Sequence, residues 1–218
     1  MLDCGKVTDT IYKRSVRKVI ERKVSGAVSQ GDAIRDISHF KSKSGNPIAA
    51  ATAVLSGDNL ASAGAVHLAV NRLATVGSRP SFVNIQIIVP EDLSEKSIKE
   101  LVGAAAESCE KLQIASVQAD VTAAAGLKEP MITVMASGES GSLFESEKAC
   151  ADQDIIMAGY TGGYGAAKLT FANEAELENH FNSVFLSPIL EADYTGDAIS
   201  TVKAVEAAAA AGVRTMYA

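Results

Sequence analysis

The chain has 218 residues, 47% hydrophobic and 21% charged, with a net charge of −6 and a pI near 5.1. That is enough for one large domain or one and a half, in the ordinary range of globular proteins. No apolar run approaches the roughly 20 residues needed to span a bilayer. KVTDTIYKRSVRKVIERKV near the N-terminus lacks the apolar block and cleavage site of a secretory signal. Cys4, Cys109 and Cys150 are widely spaced, odd in number and without CxxC spacing. They argue against a disulfide framework or a zinc site and point to a reducing cytoplasm.

In chain order, Ile11 to about Val24 reads as a first helix. Its basic block, Lys13 to Lys23, has no interleaved aromatic residues. We read it as a solvated face, with Val16, Val19 and Ile20 turned inward, and not as a nucleic-acid surface. Residues 25–48 read as a long polar loop. Pro47 introduces IAAATAVL, a buried strand or a short helix on its residues alone. Asp58 or Asn59 caps the next helix, which carries Val66, Ala69, Val70 and Leu73 at helical spacing and stops at Gly77 and Pro80.

FVNIQIIVP alternates as a strand, with Val83, Ile85, Ile87 and Val89 on one face and Asn84 and Gln86 on the other. Ser94 caps a helix whose buried stripe is Ile98, Leu101, Val102, Ala105, Cys109 and Leu112. IASVQADVT is a further strand. After a turn from Ala123 to Pro130, MITVMASG returns as a strand expected to pair with it like a hairpin.

Beyond Gly138 a polar linker leads to a second unit. It has a strand, DIIMAGY, a turn, TGGYG, and a helix, AAKLTFA. Further helices are expected at about Glu174 to Phe185 and from Ala198 to Ala211, with Gly212 as a C′ stop, before a strand-like VRTMYA. The turn Gly159 to Gly165 either cradles an anion at a helix N-terminus or is a tight strand-to-helix connection; it has no Walker lysine and no dinucleotide fingerprint. His39, placed in the polar loop, His67 on a helix and His180 on an outer helix form no catalytic set.

The order helix–strand–helix–strand from Ala65 to Thr122, with the helix AVHLAVNRLATVGSRP, resembles the N-terminal half of the aminoimidazole ribonucleotide synthetase (PurM-like) superfamily. Within it the chain is most similar to the HypE-type hydrogenase maturation factor and AIR-synthase-related proteins. The resemblance implies an α+β fold, and favours strand for IAAATAVL. Residues 1–145 would form a PurM-like N-terminal domain, a mixed sheet with helices on one face. Residues 150–218 would begin a PurM-like C-terminal α/β domain. It also implies ATP and magnesium as cofactors, a homodimer through the N-terminal sheets with the outer face of FVNIQIIV buried, and a protein partner from a maturation pathway.

Magnesium bridging ATP phosphates requires carboxylates, and the family supplies them from four motifs. Mapped by resemblance, the glycine-rich loop falls on SQGDAIRDISHF, where Asp32 or Asp36 is the surviving acid and Asp36 has the better spacing. The Thr-Asp element falls on Thr52-Ala53, without its carboxylate. The Asn-Asp element falls on Asn71-Arg72, with the charge reversed. The Gly-Gly-Asp turn falls on Gln118-Ala119-Asp120, where only the acid remains. Asp36, Asn71, Arg72 and Asp120 are therefore the candidate cofactor-binding residues, with Arg72 meeting a phosphate directly. The HypE-type reaction ends on a C-terminal cysteine, whereas this chain ends Tyr217-Ala218. The expectation is either a piece of a longer, divergent homologue or a non-catalytic relative that works by binding.

Overall fold

The computed structural model describes residues 7–24, 37–139, 150–159, 162–190, 200–213 and 215–218. Five strands form one mixed sheet: β1 (Ile37–Lys41), β2 (Pro47–Ser56), β3 (Phe82–Val89), β4 (Val117–Ala123) and β5 (Met131–Glu139), in the spatial order β1-β2-β5-β3-β4. All neighbours are antiparallel except β3 and β4, which are parallel. A parallel pair needs a crossover, and the helix between Ser94 and Leu112 supplies it.

One face of the sheet makes the core. Ala51, Ala53, Val83, Ile85, Ile87, Val89, Ile132, Val134 and Ala136 are all nearly inaccessible. In register, Ala53 meets Val134 and Val134 meets Ile85, so the alternation of each strand adds to a single apolar layer. Two helices cover that layer, following α1 (Asp9–Tyr12) and α2 (Lys18–Lys23): α3 (Asn59–Ala74) and α4 (Glu95–Lys111). Their N-termini are satisfied as the sequence suggests. Asp58 accepts from the Leu60 and Ala61 N–H groups at 3.1 and 3.4 Å. Ser94 Oγ accepts from the Ser97 N–H at 3.1 Å. α3 is buried almost all round, consistent with its alanine-rich composition and central place.

Several expectations are corrected. Residues 37–41, read as loop, form β1: Ile37 is fully buried against the sheet, and His39 lies on this strand. β5 does not pair with β4; it lies between β2 and β3. Polarity decides this, because Ile132, Val134 and Ala136 need neighbours on both sides, whereas six of the seven residues of β4 are exposed and suit an edge. α1, a π-helical turn (Lys13–Arg17) and α2 form the first helix, but Val16, Val19 and Ile20 face solvent. Amphipathic spacing identifies a face without supplying anything to cover it.

Beyond residue 150 the described helices are α5 (Gly163–Ala172), α6 (Glu174–His180), α7 (Ser183–Leu190) and α8 (Val202–Ala210). The single helix expected from Glu174 to Phe185 is interrupted by extended backbone at Phe181. No strand forms over residues 153–158, where Ile155 is 99% exposed, nor among the described residues of the C-terminal VRTMYA. Apolar runs become strands only where a sheet offers them an edge. Gly212 does adopt the left-handed conformation expected after α8. The linker 140–149 lies outside the described residues.

Candidate functional site

Asn71 and Arg72 sit side by side in the last turns of α3 and point to different partners. Asn71 is buried, and its Oδ1 accepts the Thr201 N–H at 3.0 Å, tying the start of α8 to α3. Arg72 is half-buried and donates through Nη1 to the Thr52 carbonyl. Thr52 lies one residue past the Ile37–Ala51 pair, where the described contact between β1 and β2 stops. The guanidinium thus caps a main-chain oxygen of β2, next to Ala53.

Asp120 is elsewhere. It is exposed on β4, opposite Gln86 of β3. From β2 the register runs through Met135 and Asn84 to Gln118, three strand spacings, or about 14 Å. Arg72 and Asp120 therefore stand on opposite flanks of the sheet and are not brought together within one chain. Asp36, like Gly31 and Asp32, lies outside the described residues.

Among the described residues, Asn71, Arg72 and Asp120 do not by themselves assemble a magnesium site. The ion takes carboxylates, substrate phosphates and water in near-octahedral geometry. The candidates offer a cation at 72, an engaged amide at 71 and a distant acid at 120. Among the described residues no group of three or more His, Cys, Asp or Glu side chains could hold a metal ion.

The sheet face away from α3 and α4 is uncovered by the described residues. It carries Phe40, Val54, Met131 and Met135, each more than a third exposed, among Thr133, Asn84 and Gln86. Strand alternation predicts such a second face, though not its apolar content on β2 and β5.

Sequence reasoning missed the opposite end of the fold. A hollow of about 770 Å³ opens where β2, β3 and the β4–β5 turn deliver Gly57, Pro90 and Lys128 to the N-termini of α3 and α4. Lys168 and Ala172 of α5 complete its wall. Tyr164, also on α5, lays its ring against Gly64 of α3. Burial first, and then the charge of Asp58, pushes the Tyr164 phenol up to about 12. The only sequence signal was the glycine-rich turn ahead of α5, in which Gly162 is a left-handed N-cap.

Comparison with known proteins agrees with this fold. The chain is 23% identical over 121 residues to a protein of Methanocaldococcus jannaschii assigned to hydrogenase expression/formation. That match covers 55% of this chain and 36% of the relative, so the chain spans about a third of that relative's length. Thiamine monophosphate kinase from Aquifex aeolicus superposes with a TM-score of 0.62 at 16% identity, over 88% of this chain and 62% of the kinase chain. The same enzyme complexed with AMPPCP and TMP gives 0.66 at 15% identity, over 94% and 65%. Residues 25–140, more than half of the chain, match the model for the N-terminal domain of AIR synthase related proteins. The chain belongs to the AIR synthase related family.

Proposed function

We propose that this chain is a HypE-like, hydrogenase-maturation-type member of its family, of ATP-dependent ancestry. Its nucleotide–metal site has degenerated, and the chain acts as a homodimer that binds a protein partner. The observation that carries this reading is Arg72. Where the family pattern calls for a carboxylate, the side chain is a permanent cation spent on the Thr52 carbonyl. Its predecessor Asn71 is held by the α8 strap. The hydrogenase-linked relative supports the maturation context. The AMPPCP-bound kinase makes nucleotide the ligand class to test first.

The homodimer rests on the uncovered sheet face. Phe40, Val54, Met131 and Met135 are an apolar set that a second sheet would bury. No chemical step is routed through magnesium, because among the described residues Asn71, Arg72 and Asp120 do not assemble a site for it.

Calorimetric titration with ATP, with and without magnesium, tests the degenerate site. We expect no magnesium-dependent heat from the folded wild type. Magnesium-dependent binding in the micromolar range, roughly −7 to −8 kcal/mol, would overturn the reading. Light scattering tests the dimer. Wild type should run at twice the chain mass and Met135→Lys at the chain mass; a wild-type monomer at micromolar concentration would refute this part.

A further inference from the structure

The contact between α5 and α3 has an unusual composition. Gly64 lies in the middle of α3, and a Cβ placed there would sit 2.7 Å from Tyr164 Cε2 and 3.3 Å from Tyr164 Cζ. The missing side chain is thus a notch in the helix, and the tyrosine ring occupies it. The Tyr164 hydroxyl is carried into the same contact, and its oxygen is buried with no hydrogen-bond partner among the described residues. Ring burial favours seating, while a buried hydroxyl that has lost water and gained nothing opposes it. One turn further along α5, Lys168 Nζ donates to the Ser56 carbonyl at 2.8 Å, at the end of β2. Ala167 and Thr170 complete the buried side of the helix, and Leu169 on its other side is 68% exposed.

We propose that α5 is a latch on the N-terminal unit, seating and unseating as a body through Tyr164 in the Gly64 notch and Lys168 on Ser56. Seated, it gives the hollow its Lys168–Ala172 wall; unseated, it leaves the hollow open on that side. The opposed terms at Tyr164 keep the seated state only modestly favoured, which places α5 among the segments that open locally without global unfolding. Neither contact involves Asn71, Arg72 or Asp120, so the latch stands or falls independently of the nucleotide reading.

Hydrogen exchange read by mass spectrometry, together with lysine acylation by a soluble active ester, tests it on the full chain. Gly64→Ala fills the notch. Amides of 163–172 should exchange at least tenfold faster while those of β3 and α4 are unchanged. Lys168 should acylate faster relative to Lys128, the lysine on the fixed wall. Tyr164→Phe removes the orphaned hydroxyl and should do the reverse, slowing both readouts at least threefold. Tyr164→Ala, which leaves α3 untouched, should reproduce the Gly64→Ala result and guards against general damage from the helix substitution. The proposal is overturned if Tyr164→Ala leaves α5 exchange within twofold of wild type. It is equally overturned if Tyr164→Phe loosens α5, or if Lys168 acylation does not follow the α5 amides.

Discussion

Replacing Gly138 with alanine tests how the chain entering β3 crosses the sheet. Gly138 lies near the end of β5, opposite Ala49 of β2. The Arg79 carbonyl and the Ser78 hydroxyl lie directly over its Cα. A methyl group there would run into the Arg79 carbonyl oxygen and lie 2.9 Å from the Arg79 carbonyl carbon and 3.1 Å from Ser78 Oγ. Unlike the tip of a long side chain, a carbonyl cannot swing aside, so the whole segment from Gly77 to Ser81 must lift. Lifting it stretches the Ser81 N–H bond to the Ser137 carbonyl, now 2.8 Å, and the Ser78 Oγ bond to the Glu139 carbonyl, now 3.3 Å.

Overpacking costs about 1–3 kcal/mol, and each net hydrogen bond lost adds about 1 kcal/mol, giving about 3–5 kcal/mol in all. Urea unfolding followed by circular dichroism is the assay. With a slope of about 2 kcal/mol/M, the midpoint should fall by roughly 1.5–2.5 M at unchanged slope. A shift below about 0.3 M would mean that the crossing is not tight, and the argument would fail.

Three further outcomes are expected. Asp58→Ala removes the acceptor shared by the Leu60 and Ala61 N–H groups. It should cost about 1 kcal/mol, whereas Asp58→Asn costs a fraction of that, both read as midpoint shifts in the same titration. Cys109 is buried on α4 and its thiol is pushed up to about 11 by that burial, while Cys150 is exposed. Iodoacetamide at pH 8 should alkylate the Cys150 peptide long before the Cys109 peptide, and equal rates by mass spectrometry would contradict the packing of α4. The Tyr164 phenol ordinarily titrates near 10 and is held near 12 in the fold. Its protonated form is the one the fold accommodates. That contribution is complete below pH 10 and is lost as pH rises towards 12. For a half-buried ring the loss should be about 1–2 kcal/mol. Tyr164→Phe should flatten this part of the stability curve, and identical alkaline curves for both proteins would count against the buried seat.

How far the fold was legible depended on whether information was local. The alternation of FVNIQIIV and the caps at Asp58 and Ser94 all lie within a few residues of what they determine, and each is found as read. β1 was hidden because ISHFK places only Ile37 fully in the core and is flanked by polar residues. The position of β5 was hidden because its partners, β2 and β3, are both distant in sequence, and adjacency suggested β4 instead. Ile155 and Ile156 show the limit of reading apolar runs, since a strand exists only with a neighbour to bond.

The motif AVHLAVNRLATVGSRP reads as a helix, and Asn71 and Arg72 do lie in α3. Their partners, Thr201 and Thr52, could not be read, because each contact joins separate elements. Asp120 was grouped with them by motif, and the width of the sheet separates them. Gly64 was invisible for a different reason: one small residue in an alanine-rich helix looks like any other until a ring is found resting on it.

The central strand is also the last of the five described strands to be synthesised. Before residues 131–139 have left the ribosome, β1 can pair with β2 and β3 with β4, but the two halves share no strand. β5 joins them by pairing with both at once, across long stretches of chain, which places this domain towards the slow end of folding, in roughly milliseconds to seconds. A ribosome stalled before Met131 would hold two half-sheets. Ala51 and Ala53 of β2 and Ile85 and Ile87 of β3 would line open edges, the kind of surface on which nascent chains find one another.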